Sequence, residues 1–324
     1  NNLQVTAVAT TREESIWVTT ITPKVELLKF SNERLVKRYD FSQRGESIFY
    51  LYPDSQGNLW FNQAPVDKPI VGTARIDSKG ALKFYDETKG FSSRVLALKE
   101  SSRGEIYAAG IGEKSYLYRF DPNQDRFINL SPDLPFTAKS NFEAHDLTID
   151  ELGVVWLATT DGLLRYDGET ISLIKNDILG HEEVRAVAHY ANNHIWVATA
   201  TKGLVFLQGN TSTILGESEG LPATISAYRC LAIDSDGRLW AGTAEGLVYS
   251  RASASELPYS HRPLMKEVFI KGSQTLKGAN DVIRLKHGLP VEIHFTNLSY
   301  PAKNVEYQYR LLEKENKDII LEKP

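Results

Sequence analysis

Leu231-Ala-Ile-Asp234-Ser-Asp-Gly237-Arg-Leu-Trp240-Ala-Gly-Thr243-Ala-Glu-Gly246-Leu-Val-Tyr249 is the stretch whose reading decides the architecture. Apolar residues alternate through it with a period of two, and Gly or Asp interrupts them at short intervals, the pattern of short strands joined by tight turns. Asp234 and Gly237 bracket one such turn. The carboxylate can accept backbone N–H groups, and a glycine at that spacing can take the positive φ of a bulged hairpin loop. The same spacing recurs in Asp54-Ser-Gln-Gly57-Asn-Leu-Trp60 and in Asp150-Glu-Leu-Gly153-Val-Val-Trp156. Every tryptophan (Trp17, Trp60, Trp156, Trp196, Trp240) follows an aliphatic residue, and Tyr107 after Ile106 fills the one gap. These anchors stand roughly 40 to 50 residues apart, a period that means propellers or helical arrays, and the strand chemistry selects the propeller.

Working outward from the anchors, Val8, Leu51, Leu98, Leu147, Val187 and Leu231 occupy one equivalent upstream position, all aliphatic. One residue earlier, on the opposite face of the same strand, stand Ala7, Tyr50, Ala97, Asp146, Ala186 and Cys230, mostly small. A strand with large residues on one face and small ones on the other suits a sheet wedged between two neighbouring sheets. Downstream, Gly162-Leu-Leu, Gly203-Leu-Val and Gly246-Leu-Val open a third strand, and Ile171–Ile174 and Thr213–Leu215 supply a fourth. The expected fold is therefore all-β: a β-propeller of four-stranded blades with six visible repeats. An aromatic that recurs in every unit is first of all a blade-packing residue.

Composition narrows the function classes. The 37 basic and 41 acidic residues leave a net charge of −4 with no basic stripe, which argues against a nucleic-acid partner. Cys230 is the single cysteine and sits in an apolar strand, so no internal disulfide is expected and a buried thiol is favoured over a nucleophile. No run of about 18 apolar residues is present. The chain opens Asn1-Asn2-Leu3 and enters the repeat at once, which reads as an excised soluble fragment.

The pattern from Leu231 to Tyr249 resembles the two-component regulator propeller repeat of bacterial sensor proteins, and the units centred on Trp156 and Trp196 are similar to it. The first three units match loosely, with Tyr107 in place of Trp and Asn62 where Thr is usual. After the joint Ser253–Pro263, the alternating segments Val291–Tyr300 and Val305–Leu311 carry Tyr300, Tyr307 and Tyr309, which match the signature of the Y_Y_Y domain. The resemblance implies a propeller over residues 1–258 and, over 259–324, a partial immunoglobulin-like β-sandwich module that passes a signal onward. Family members usually show seven blades, so the resemblance leaves a ring closed at six or one truncated from seven. It also implies the periplasmic or extracellular side of the bacterial inner membrane, a homodimer in the intact receptor, and attachment to the membrane only through segments absent from this sequence.

No catalytic constellation stands out. His181-Glu-Glu-Val-Arg185 begins like a zinc-protease motif but has Arg where the second His is required. No metal, cofactor or catalytic residue is assigned. A ligand site is expected where the repeats disagree, at the start of the inner strands, where Thr6, Phe49, Leu96, His145, Arg185 and Arg229 occupy one equivalent position. His145, Asp146, Glu183, Arg185, Tyr228 and Arg229 are the candidate ligand-binding set: Arg offers a fork for carboxylate, sulfate or phosphate, and Tyr a face for a sugar ring. The leading expectation is a sensing module for an oligosaccharide or other small ligand. A propeller lyase or hydrolase, with His145 and Glu183 as its acid–base pair, and a protein-interaction scaffold with an exposed apolar patch are the alternatives.

Overall fold

Each aromatic anchor lies on the second strand of an antiparallel meander in the computed structural model. The model describes residues 4–42, 46–65, 72–175, 178–190, 194–209, 211–216, 221–223 and 227–253 and, further on, 264–270, 273–275, 291–296, 310–312 and 318–320. The first sheet runs β1 (Gln4–Thr10), β2 (Ile16–Thr22), β3 (Glu26–Ser31), β4 (Arg34–Asp40), and the second β5 (Glu46–Pro53), β6 (Leu59–Pro65), β7 (Thr73–Ile76), β8 (Leu82–Tyr85). The third is β9 (Val95–Glu100), β10 (Ile106–Gly110), β11 (Leu117–Asp121), β12 (Arg126–Asn129). The fourth is β13 (Ala144–Ile149), β14 (Val155–Thr159), β15 (Gly162–Tyr166), β16 (Ile171–Leu173), and the fifth β17 (Val184–Tyr190), β18 (His194–Thr199), β19 (Leu204–Gln208), β20 (Thr211–Leu215). The sixth has three described strands, β21 (Leu231–Ile233), β22 (Arg238–Thr243) and β23 (Gly246–Ser253). Successive first strands lie side by side from β1 through β5, β9, β13 and β17 to β21. This is an all-β propeller of six blades.

The hairpins form for the reason the sequence suggests, with one addition. Asp54, Asp150 and Asp234 each accept two backbone N–H groups of their own turn, and Gly57, Gly153 and Gly237 take φ of 82°, 86° and 75°. The second carboxylate oxygen then accepts the indole N–H of the anchor, at 2.9 Å for Trp60, 3.0 Å for Trp156 and 2.8 Å for Trp240. One side chain thus closes the turn and satisfies the polar edge of a packing residue.

Between blades the core is built from five clusters. Trp17, Leu27, Ile48, Leu51 and Phe61 pack between the first and second blades, and Trp60, Tyr85, Leu98, Tyr118 and Phe127 between the second and third. Tyr107, Leu147, Val155 and Leu157 fill the next interface, Trp156, Val187, Ile195 and Val197 the fourth, and Trp196, Phe206, Leu239 and Ala241 the fifth. In each, the aromatic anchor of one blade meets the aliphatic face of the next. The two ends of the series differ. Val8 and Ile16 of the first blade are 59% and 43% exposed, and Leu247 and Tyr249 of the sixth are 68% and 54% exposed.

A second unit comprises Pro258–Pro324. It contains β24 (Leu264–Ile270), β25 (Ser273–Thr275) and β26 (Val291–Thr296), paired in the order β25-β24-β26, and the antiparallel pair β27 (Arg310–Leu312) and β28 (Asp318–Ile320). Tyr300, Tyr307 and Tyr309, the residues that carry the resemblance of this module, lie outside the described residues.

Candidate functional site

The inner strands share an irregularity that no sequence pattern announces. Pairing steps from Val5 to Ala7 opposite Thr20 and Thr19, and from Ile48 to Tyr50 opposite Gln63 and Asn62. It steps likewise from Val95 to Ala97, from Ala144 to Asp146 and from Val184 to Ala186. The residue skipped each time is Thr6, Phe49, Leu96, His145 or Arg185. A β-bulge leaves one residue out of the ladder and re-aims its side chain. The sixth member, Arg229, stands just before β21 with φ of 55°, a left-handed conformation uncommon for arginine, and its N–H donates to the Arg185 carbonyl at 3.0 Å. Bulged backbone in five blades and a left-handed turn in the sixth therefore present one side chain per blade at the same end of the inner strands, and most of those side chains differ from blade to blade.

The fourth, fifth and sixth blades bring most of the candidate residues together. Glu183 Oε1 accepts the Tyr228 hydroxyl at 3.0 Å and Arg185 Nε at 3.4 Å, and lies 4.0 Å from His145 Nε2. The His145 and Tyr228 rings are 4.3 Å apart, and the Arg185 guanidinium sits 5.6 Å from the Tyr228 ring centre. Arg229 reaches furthest. Its guanidinium donates to the His145 carbonyl at 3.3 Å and lies 5.8 Å and 5.6 Å from the rings of Phe49 and Tyr50, so one cation from the sixth blade touches the fourth and the second.

Burial decides the charge states. His145 is 3% exposed, and loss of hydration pushes its imidazole pKa down to about 4; Glu183 opposes this, and Arg229 and Arg185 reinforce it. The ring is therefore neutral at pH 7. Its Nδ1 stands 3.6 Å from Glu143, and its Nε2 is buried without a hydrogen-bond partner. Asp146 is also 3% exposed, and burial raises its pKa against the nearby Lys99. Its carboxylate accepts the N–H groups of Leu147 at 2.9 Å and Val187 at 3.2 Å, tying the fourth blade to the fifth. Asp146 is thus buried, while Tyr228 is exposed and Arg185 and Arg229 are half-buried.

Phe49, Arg94 and Glu143 also belong to this end of the molecule. Phe49 stands in the equivalent set read from the sequence without having been assigned a role. Arg94 precedes β9 and pairs with Gly72 through an isolated parallel bridge, and its guanidinium lies 5.8 Å from the Phe49 ring. Nothing in the repeat marks Arg94, because only the packing of the third blade against the second brings it to Phe49. Two clefts, of about 310 and 550 Å³, open instead at the hairpin ends of the first three blades, around Asp54, Trp17 and Lys37 and around Arg75, Arg103 and Arg119. Among the described residues no three His, Cys, Asp or Glu side chains are grouped to hold a metal ion, and no helix is long and apolar enough to cross a membrane.

Residues 220–245 match the family model described as the two component regulator propeller. This segment is similar to a two-component regulator propeller repeat. The repeat takes in Tyr228, Arg229 and the turn from Asp234 to Gly237, so its boundaries include part of the candidate site. No curated protein sequence matches the chain significantly. Among solved structures, the fold is similar to the extracellular domain of a hybrid two-component system from B. thetaiotaomicron, with 14% identity and a TM-score of 0.53. That likeness covers 82% of this chain and 39% of the ectodomain, so the chain spans about two fifths of that relative's length. Virginiamycin B lyase from Staphylococcus aureus is similar at 13% identity and a TM-score of 0.57, over 81% of this chain and 87% of the lyase. PorZ, a surface component of the type-IX secretion system of Porphyromonas gingivalis, is similar at 18% identity and 0.54, over 78% and 40%. Identities this low speak for the shared fold.

Proposed function

We propose that the chain is the ligand-sensing part of a transmembrane two-component sensor, facing the periplasm or the exterior, and that it binds a small molecule or oligosaccharide at the bulged end of its inner strands. The observation that carries the reading is the ring of bulge residues. A repeated framework presents Thr6, Phe49, Leu96, His145 and Arg185 at bulges and Arg229 on a left-handed turn, five residue types at one equivalent position, which is how a repeat architecture makes a specific site. The two-component regulator propeller repeat and the likeness to a sensor ectodomain support the same reading. Signal passage through the C-terminal unit, which holds the three tyrosines, follows the same proposal, and the ligand must favour one arrangement of that unit over another, because only differential affinity shifts such an equilibrium.

Calorimetric titration with neutral and acidic oligosaccharides tests the ligand class. Saturable heat that disappears in Tyr228→Ala supports the site; silence across both panels removes the carbohydrate assignment. The likeness to a lyase favours an enzyme as the second reading. His145 is a poor general base in this arrangement, being neutral with a pKa near 4, 3% exposed and 4.0 Å from Glu183. Product formation from a glycan or cyclic depsipeptide substrate, abolished in His145→Gln, would reverse the ranking. The exposed apolar residues Val8, Ile16, Leu247 and Tyr249 occupy blade-packing positions, which makes them a property of the fold before they are evidence for a scaffold.

A further inference from the structure

Arg94 and Arg229 differ from the other arginines whose side chains are described. Arg38, Arg75, Arg119, Arg165, Arg185 and Arg238 each lie within 4.0 Å of a carboxylate. Arg12, Arg34, Arg103 and Arg126 have no such ion pair but are exposed to solvent. Arg94 and Arg229 are half-buried, and neither forms an ion pair among the described residues. Arg94 Nε is buried without a partner, and among the described residues the one side-chain hydrogen bond of Arg229 goes to the carbonyl of His145.

Both guanidinium groups lie 5.8 Å from the same ring, Phe49, the bulge residue of the second blade. A cation over an aromatic face gains less than an unpaired cation loses when stripped of water, and two like charges beside one ring also repel. Among the described residues no acid of this end comes within 4.0 Å of either guanidinium, although Asp146 attracts Arg229 at longer range. Glu183 is engaged by Arg185 and Tyr228, Glu143 stands beside His145, and Asp146 accepts two backbone N–H groups. The acids therefore gather around His145, while Arg94 and Arg229 stand beside Phe49 without a carboxylate in direct contact among the described residues.

We propose that Arg94 and Arg229 form a two-point clamp beside Phe49 for an oxyanion, a carboxylate or sulfate carried by the ligand. Guanidinium forks match the planar oxygen pair of a carboxylate and two oxygens of a sulfate, and the Phe49 ring offers an apolar wall to the body of the molecule that carries it. The inference deepens the assignment of this end as the ligand site and rests on it. It turns an unspecified small ligand into an acidic one.

The test is calorimetric titration of the full chain with a galacturonate trisaccharide, a sulfated disaccharide and their neutral counterparts at constant ionic strength. Arg94→Gln, Arg229→Gln and, as an exposed control, Arg126→Gln are titrated alongside. Binding of at least one acidic probe, weakened roughly tenfold or more by Arg94→Gln and Arg229→Gln and unchanged by Arg126→Gln, is the expected result. Arg229 holds three blades in contact, so its variant is read only beside a melting curve; Arg94, whose guanidinium makes no hydrogen bond, carries the test if Arg229→Gln fails to fold. Equal binding by wild type and Arg94→Gln overturns the clamp. Binding of neutral probes alone overturns the clamp and leaves the ligand site standing, whereas binding of neither class overturns both.

Discussion

Trp196 and Trp240 occupy the same place in successive blades, yet Trp196 is fully buried between the fifth and sixth blades while Trp240 stacks on Tyr249, itself 54% exposed, at a ring separation of 4.8 Å. At the other end, Leu147 is 0% exposed and its equivalent in the first blade, Val8, is 59% exposed. The residues are of one kind; the neighbours are not. A blade-packing side chain becomes core only when another blade covers it, and the contribution of roughly 1.5–3 kcal/mol from burying a large aliphatic residue is realised at the five internal interfaces and not at the two outer faces. Repeat architectures behave in this way because each unit contacts only its neighbours.

The largest effect that could break this comparison is a paired truncation. Leu147→Ala is expected to cost about 2–5 kcal/mol through lost burial and a cavity, and Val8→Ala no more than about 0.5 kcal/mol, read from urea denaturation of the propeller. Equal costs would mean that the outer face is covered in solution. Next in size is the pH dependence at His145. The folded-state pKa lies near 4, below the ordinary histidine value, so between about pH 6.5 and 4 the unfolded chain binds a proton that the native state refuses. Stability should therefore fall as pH drops through that window, by on the order of 3 kcal/mol at full effect, and His145→Gln should flatten this part of the profile. Identical pH profiles for wild type and variant would show that the imidazole is not buried neutral.

A smaller contrast concerns the turn aspartates. Asp150→Ala removes the acceptor of two backbone N–H groups and of the buried Trp156 indole and should cost about 1–3 kcal/mol. Asp234→Ala makes the same deletion beside the more open Trp240 and should cost less, as compared by thermal melts. The smallest signal is optical. Iodide should quench Trp240 and spare Trp60 and Trp196, which are 1% and 0% exposed, so a Trp240→Phe variant should lose most of the quenchable fluorescence. Uniform quenching would indicate that the internal interfaces open.

Much of the candidate site's placement in the fold was legible at the level of position. Aligning the units on their aromatic anchors isolates Thr6, Phe49, Leu96, His145, Arg185 and Arg229 as one equivalent set, and the structure puts five of them at bulges and the sixth on a left-handed turn. The bulge itself was not legible, because an extra residue in one strand disturbs the alternation by a single step and is masked by the variety of the residues that occupy it. Arg94 was missed for a different reason: its partner Phe49 is distant in sequence, and no periodicity encodes a contact between blades. Asp146 was visible as the odd polar residue in a column of small ones, but only its bonds to Leu147 and Val187 reveal that it ties two blades together.

The amino-acid sequence alone determined the all-β class, the blade unit and its six visible repeats, because strand alternation, turn glycines and turn aspartates act over a few residues and repeat. Tertiary structure decided which copies of a repeated residue are buried, where the bulges aim His145, Arg185 and Phe49, and which arginines find a carboxylate. Those outcomes depend on what a neighbouring blade brings within a few ångströms, and local propensity carries no record of a neighbour.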